Sequence, residues 1–222
     1  MQYLYNKLAG SSSLELKGDD HRYIFKVRRH RVKEKIYLRN LKDNILYEYY
    51  IDYIDKKSLT LILKTQNELI IEAKEKLHIG WCVIEPKSIE KMLPMLNEIG
   101  VFKITFIYCS RSQKSFKVDL ERLNKIILNS SQQSGRSKLL EFDIKDSLDS
   151  FLKENPDSYL INFSQNRFGK NSDIKSVVIG CEGGLTDDEV LLFNKDRVIG
   201  FDTPLILKSE SAVCAIASKL LL

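Results

Sequence analysis

The stretch Val177-Val178-Ile179-Gly180-Cys181-Glu182-Gly183-Gly184-Leu185-Thr186-Asp187-Asp188-Glu189-Val190-Leu191-Leu192-Phe193 decides the fold. Its opening is a short apolar, β-branched run that reads as a buried strand. The end reads as a helix start. Thr186 and Glu189 stand at N-cap and N3 spacing, so each can satisfy a free backbone N–H of the other, and Leu185 and Val190 have the spacing of a hydrophobic staple. Between strand and helix lie Gly180, Gly183 and Gly184, which permit positive φ and leave the main chain uncovered, so that a flat ligand can be held by amides and carbonyls. A tight turn without a ligand satisfies the same pattern. The spacing is not that of a dinucleotide-binding loop, no ribose-binding acid follows near Pro204, and no Gly-Lys-Ser/Thr closes a Walker turn.

Upstream, Leu77 to Ile84 is an apolar run fit for a buried strand. Ser88 is placed to cap a helix whose apolar positions Ile89, Met92, Leu93 and Leu96 follow helical spacing, and Gly100 is placed to end it. With a second strand at Lys103 to Cys109 this is a β-α-β unit, which implies a parallel sheet. A helix bearing Leu120, Leu123, Ile126 and Ile127, another near Leu148 to Lys153, and strands at Tyr159 to Phe163 and Val177 to Ile179 continue the alternation. The first 70 or so residues read differently, as closely spaced strands at Tyr23 to Val27, Lys35 to Leu38, Ile45 to Tyr53 and Ser58 to Leu63, which suggest a small β-barrel. The charged segment Glu72-Ala73-Lys74-Glu75-Lys76 separates the two patterns, so a β domain over 1–72 and an α/β domain over 73–222 are expected.

The net charge of +5 matters through its distribution. Between His21 and Lys35 stand Arg22, Lys26, Arg28, Arg29, Arg31, Lys33 and Lys35 against one acid, Glu34, with Tyr23 and Phe25 interleaved. That pattern fits phosphate binding, and a solvated strand edge guarded by charge fits it too. The four cysteines lie far apart in sequence without Cys-x-x-Cys pairing, and with three histidines they suggest no metal site. The beginning of the chain lacks the pattern of a signal peptide, and no run of about 18 apolar residues occurs, so a cytoplasmic protein away from the membrane is expected.

A second unusual segment follows the first, running from Ile199-Gly200-Phe201 through Leu205-Ile206-Leu207-Lys208-Ser209-Glu210-Ser211-Ala212. Taken together, the chain resembles the RsmE family of 16S ribosomal RNA uracil-N3 methyltransferases, of the SPOUT class. Ile179 to Gly184 is similar to the family's Ile-Gly-Pro-Glu-Gly-Gly, and Leu205 to Ala212 to its Arg-Ile-Leu-Arg-x-Glu-Thr-Ala. Asn97-Glu98-Ile99-Gly100-Val101 resembles Thr-Glu-Leu-Gly-Val, Gln132 to Arg136 resembles Glu-Gln-Ser-x-Arg, and His21 with Lys26-Val27-Arg28 falls where the family has a His followed by Val-Leu-Arg. Cys181 replaces proline, Leu205 and Lys208 replace arginines, Ser211 replaces threonine, and Gln2 stands near the place of an N-terminal arginine.

The resemblance implies a PUA-like β-barrel followed by a trefoil-knotted α/β domain, a homodimer, S-adenosylmethionine as cofactor and 16S ribosomal RNA or the small ribosomal subunit as partner. Carried over residue by residue, the cofactor contacts fall on Gly180, Glu182, Gly183, Gly184, Gly200, Ile206, Leu207, Lys208, Glu210 and Ala212, with Phe163 and Ser164 as additions. Glu182 and Glu210 each have a plainer role open to them, a turn or helix-terminus hydrogen bond. RNA contacts are expected from Arg22, Lys26, Arg28, Arg29 and Arg31. Arg136 is the candidate catalytic residue, with a helix cap or surface ion pair as the alternative. A ribose 2′-O-methyltransferase of the same class and a non-catalytic RNA-binding protein are the competing functions.

Overall fold

The computed structural model describes residues 2–167 and 173–222. It divides into two compact units, residues 1–72 with Ser131–Lys138, and Ala73–Ser130 with Leu139–Leu222.

The first unit contains β1 (Leu4–Tyr5), β2 (Ser13–Lys17), α1 (Gly18–Arg22), a π-helical turn (Tyr23–Val27), β3 (Lys35–Arg39), β4 (Ile45–Ile54) and β5 (Ser58–Glu68). The strands form one sheet in the order β1-β3-β4-β5-β2, antiparallel except for the β1–β3 pair. Register shifts at Glu48/Tyr49 and Ile51/Tyr53 interrupt the long β4–β5 ladder, as bulges do where a sheet must curl. Along β2 exposed and buried residues alternate, and its inward Leu14 and Leu16 join Leu38, Tyr49, Ile51, Leu59 and Leu61 in the core. Tyr49 is fully buried, and its hydroxyl donates to the Ser11 carbonyl and accepts from the Gly10 amide, so burial leaves its polar end satisfied.

The expected strand at Tyr23 to Val27 is helical instead. Its aromatic and β-branched residues favour a strand, but Tyr23, Phe25 and Val27 face solvent and Ile24 alone is buried there. Asp19 and Asp20 open α1 and His21 and Arg22 close it, a charge order that suits the helix dipole, and the Arg28 amide donates to the Tyr23 carbonyl in the five-residue spacing of a π turn.

The second unit contains β6 (His78–Cys82), α2 (Pro86–Ile99), β7 (Lys103–Ile107), α3 (Leu120–Ser134, its last turn counted with the first unit), β8 (Glu141–Lys145), α4 (Leu148–Glu154), β9 (Tyr159–Ile161), β10 (Ser176–Ile179), α5 (Asp187–Val190), β11 (Val198–Ile199) and α6 (Ser209–Leu221). Among the described residues its six strands are all parallel, in the order β11-β9-β10-β6-β7-β8. The central strands β6, β7 and β10 are apolar almost without interruption, as parallel strands covered on both faces must be.

At α2 the cap differs from the sequence expectation. Glu85 is the N-cap, Pro86 takes the first helical position, and Ser88 sits two residues further in with its hydroxyl 3.5 Å from the Glu85 carboxylate. Proline has no N–H to leave unsatisfied and its fixed φ suits that position, so the helix starts earlier than the serine suggested. Gly100 ends the helix at φ 107°, as the spacing predicted. Among the described residues no helix is long and apolar enough to cross a membrane.

The strand order positions the site. From β6 the chain adds β7 and β8 on one side, then returns past β6 to place β9, β10 and β11 on the other, with β10 inserted between β9 and β6. The order therefore reverses between β6 and β10, and at such a point in an open parallel sheet the loops at the carboxyl ends diverge and leave a crevice for ligands.

Candidate active site

The loop after β10 is the glycine-rich turn, and neighbouring residues fix it on several sides. The Gly184 amide donates to the Cys181 carbonyl (2.9 Å), and Gly184 has φ +70°, a conformation that L side chains rarely adopt. Gly183 is not among the glycines of positive φ, and a Cβ there would only touch the Arg111 side chain at 3.5 Å; the freedom that the sequence ascribed to all three glycines is needed at Gly184.

Ser209, at the head of α6, accepts from the Trp81 indole N–H (2.9 Å) and donates to the Gly180 carbonyl (2.6 Å), which ties β6, the turn and the last helix together inside the core. Arg111, in the loop after β7, donates from one guanidinium nitrogen to the carbonyls of Gly183 (2.8 Å) and Leu185 (3.1 Å). The capping box that the sequence predicted is present at Thr186 and Glu189, and the other carboxylate oxygen of Glu189 accepts from the Ser110 amide at 2.7 Å. The loop after β7 thus braces the turn after β10 at two points.

A second pair of loops meets beside it. Gly200 follows β11, and its amide donates to the Asn166 carbonyl. A Cβ at Gly200 would lie 2.8 Å from the Ser164 carbonyl oxygen and 3.1 Å from that of Asn162, so only glycine permits the approach. Ser164 donates from its hydroxyl to the Val198 carbonyl, which fixes the loop after β9 against β11. Phe163, Leu205 and Ile206 are left 72 to 80% exposed on these loops. Ala212 is buried in α6, Glu182 and Lys208 are exposed, and Leu207 is half-buried. Among the described residues, one carboxylate oxygen of Glu210 is buried without a hydrogen-bond partner. Lys208 and Glu210 also line a hollow of about 370 Å³ together with Met92, Met95 and Cys214 of α2 and α6.

The basic residues expected to meet RNA all lie in the first unit. Arg22, Lys26, Arg28, Arg29 and Arg31 are exposed on α1, the π turn and the loop that follows, beside exposed Tyr23, Phe25, Val27 and Val32. Arg28 packs over the Tyr23 ring at 5.3 Å, donates to the Tyr23 hydroxyl (2.9 Å) and donates to the Gln2 side-chain carbonyl (2.8 Å), so this guanidinium is held in place. Arg29 has φ 57°, which helps turn the chain out of the helix.

Arg136 also belongs to the first unit and is 7% exposed. Its backbone carbonyl accepts from the Tyr3 hydroxyl (2.9 Å). Burial lowers the pKa of its guanidinium, while the charges of Glu72 and Tyr3 act in the opposite direction.

Sequence reasoning missed Arg111, Ser209, Trp81 and the pairing of Cys109 with Cys181. The available signal was positional: Arg111 directly follows the carboxyl end of a parallel strand, where sites in such sheets gather. Among the described residues no group of three or more His, Cys, Asp or Glu is arranged to hold a metal ion.

Comparison with known proteins agrees with this architecture. A family model described as an RNA methyltransferase domain matches residues 71–221, and one described as an RNA methyltransferase PUA domain matches residues 16–64. A Helicobacter pylori protein named ribosomal RNA small subunit methyltransferase E is 36% identical over 98% of both chains, and a Rickettsia conorii protein of the same name is 26% identical over 99% of this chain and 94% of its own. Among solved structures, a Legionella pneumophila methyltransferase in complex with S-adenosylmethionine superposes with a TM-score of 0.80 at 22% identity, over 99% of this chain and 95% of that one. Ribosomal RNA small subunit methyltransferase E of Neisseria gonorrhoeae, bound to S-adenosylmethionine, gives a TM-score of 0.77 at 18% identity, over 98% and 95%. A PUA-like curled sheet joined to an α/β methyltransferase unit, and 36% identity to the Helicobacter protein over nearly the full length, place the chain in the ribosomal RNA small subunit methyltransferase E family.

Proposed function

We propose that this protein methylates N3 of a uridine in 16S ribosomal RNA of the small ribosomal subunit, with S-adenosylmethionine as the methyl donor. The observation that carries the reading is the braced turn Gly180 to Leu185 at the reversal of strand order, at the same end of the sheet as the Gly200 loop. The residues present fit the cofactor: a close-approach glycine at 200, a left-handed glycine at 184, and a buried acceptor on Glu210 that has no hydrogen-bond partner among the described residues. Gly180, Glu182, Gly183, Gly184, Gly200, Ile206, Leu207, Lys208, Glu210 and Ala212, with Phe163 and Ser164, would hold it. When bound, the sulfonium supplies an electrophilic methyl group.

The chain's own residues supply position and charge. Arg111 and Ser209 hold the Gly183, Leu185 and Gly180 carbonyls, which fixes the shape of the turn that would meet a ligand. The exposed rings and aliphatic groups of Phe163, Leu205 and Ile206 offer apolar surface for a flat base and for a second copy of the chain in a homodimer. Removing the N3 proton from uracil spreads negative charge over its carbonyl oxygens. A buried guanidinium such as that of Arg136 stabilises such charge far better than one in water, and it also holds the base in line. Arg22, Lys26, Arg28, Arg29 and Arg31 would grip phosphates, and Tyr23 and Phe25 offer stacking surfaces for unpaired bases. A trefoil knot in the second unit, a boundary near residue 73 and a cytoplasmic location belong to the same reading.

Incubating the protein with S-adenosylmethionine and small ribosomal subunits or 16S RNA, followed by mass spectrometry of the nucleosides, tests this reading. N3-methyluridine is expected. A 2′-O-methylated nucleoside, or none at all, overturns it.

A further inference from the structure

The glycine-rich turn carries a cysteine where the family pattern has proline, and that cysteine faces another. Cys181 follows β10 and Cys109 follows β7, and their sulfurs lie 3.6 Å apart, with Cys181 6% and Cys109 3% exposed. β6 lies between these two strands, so the strands are roughly 10 Å apart. Only the inward course of the two loops brings the thiols together. A disulfide needs its sulfurs at about 2.05 Å, so closing the gap takes a shift of about 1.5 Å shared between the loops.

The pair is chemically unequal. Contacts with the Cys181 and Cys82 thiols, then with Ser112 and the Arg111 backbone N–H, hold the Cys109 thiol well below the ordinary thiol range despite burial, whereas the contact with Cys109, together with burial, pushes Cys181 up. Cys109 is therefore the thiol of the pair that ionises more readily, and Cys181 the one that holds its proton more tightly. The Cys181 thiol meanwhile contacts the Gly184 carbonyl at 3.4 Å, inside the turn itself.

We propose that Cys109 and Cys181 form a site of reversible oxidation by hydroperoxides, and that their disulfide reshapes the turn Gly180 to Leu185. The Cys109 thiolate attacks one oxygen of hydrogen peroxide, the O–O bond breaks, and hydroxide leaves, giving a sulfenic acid on Cys109. Cys181 gives its proton to the departing oxygen and attacks the Cys109 sulfur; the S–O bond breaks and the S–S bond forms. Two thiols and one peroxide become one disulfide and two waters, with two electrons passing from sulfur to peroxide, and a dithiol reverses the change.

The turn is the element that yields. Its Gly180 and Gly183 carbonyls are tied to Ser209 and Arg111, so drawing residue 181 toward Cys109 strains the segment between them and removes the thiol's contact with Gly184. Proline at position 181 cannot respond in this way. The consequence for methyl transfer rests on the reading that this turn holds the cofactor, whereas the disulfide itself does not.

The test uses the full chain, titrated with hydrogen peroxide, alkylated and mapped by non-reducing peptide mass spectrometry. The expected product links the peptide of Cys109 to that of Cys181, with loss of two hydrogens, and is restored by dithiothreitol. Hydrogen exchange over residues 180–185 should change on oxidation, and affinity for S-adenosylmethionine by calorimetry should fall about tenfold or more in the wild type. Cys181→Ser and Cys181→Pro, each checked by thermal melting and each compared with itself before and after peroxide, should show neither the link nor the fall. Two free thiols after peroxide treatment, a link from Cys109 to Cys82, or a Cys109–Cys181 link without altered exchange in the turn overturns the proposal. Reduced wild-type protein that fails to bind S-adenosylmethionine defeats the reading of the turn as a cofactor site, while the mapping and the exchange still decide the disulfide.

Discussion

Arg111 donates to the carbonyl of Gly183 across 2.8 Å, from a loop that belongs to another strand of the sheet. The same nitrogen reaches the Leu185 carbonyl. Arg111→Ala should leave the turn free to sample other conformations and weaken S-adenosylmethionine binding by about tenfold or more, in line with the roughly 1.5–3 kcal/mol that a hydrogen bond involving a charged group contributes. Because Arg111 is exposed, the melting temperature should change little. Calorimetry and a thermal melt check both, and unchanged affinity would remove Arg111 from the site.

Gly200 makes a sharper case. A methyl group there meets backbone oxygen at 2.8 Å, and backbone cannot swing aside as a side chain can. Gly200→Ala should therefore push the loops after β9 and β11 apart, at a cost of about 1–3 kcal/mol to stability, and reduce cofactor affinity more than stability. The comparison variant is Gly183→Ala, whose added methyl meets only ordinary contact with Arg111. Equal melting temperatures for the two variants would contradict the geometry.

For the basic face, Arg28→Ala and Arg31→Ala should each weaken RNA binding and lower the slope of log affinity against log salt by about 1 or less, the loss of one phosphate contact. Arg28 is already oriented by Tyr23 and Gln2, so its removal should cost more than that of Arg31. Fluorescence anisotropy at several salt concentrations reads the slopes. An unaltered slope in the double variant would make these charges ordinary surface.

Arg136→Lys keeps a positive charge but loses the planar fork. As a catalytic group its replacement should reduce turnover on the order of 10²-fold, with cofactor affinity retained. Arg136→Ala should also lower the melting temperature, because the side chain is buried. Single-turnover methylation separates the effects: turnover within a few-fold of wild type for Arg136→Lys would leave this residue a purely structural role.

His78 gives the protein a built-in response to acid. Burial, and secondarily the charge of Lys103, lowers its pKa to about 4, with Asn155, Asp143 and Glu154 acting weakly the other way. In the unfolded chain the group titrates near 6.5, so below that pH the unfolded state binds the extra proton and the folded state does not. Stability is then complete above about pH 6.5 and falls as the pH drops toward 4. The melting temperature should decline by a few degrees between pH 7 and 5, and less so in His78→Gln. A flat profile in the wild type would show that His78 is protonated without penalty.

The parallel sheet was legible in the sequence because its strands are apolar throughout and its helices carry strong 3.6-residue patterns. The start of α5 was legible because the capping box is a local device, with both partners inside four residues. Tyr23 to Val27 misled because aromatic and β-branched residues favour strands on average, whereas here they decorate an exposed helical surface. β1, β2 and β8 escaped because they are short or bear mixed polarity, and their pairing comes from strands distant in sequence. At the site, the glycine turns could be read as a motif, but Arg111, Ser209 and Trp81 reach it across 29 to 128 positions of sequence, and no spacing rule spans such gaps.

The first unit is not finished when its strands have been made. The Tyr3 amide donates to the Gln132 carbonyl, the Ile71 amide donates to the Ser137 hydroxyl, and both partners come from Ser131–Lys138. On the ribosome, at about 5–20 residues per second, these residues are added some 3–13 seconds after residue 72. During that interval the nascent sheet has its basic face but not the segment that tethers its first strand. A fragment ending at residue 72 would be left permanently in this state, so RNA-binding tests on the isolated N-terminal segment would report on an incompletely assembled unit, and a split version of the protein should be cut beyond residue 138.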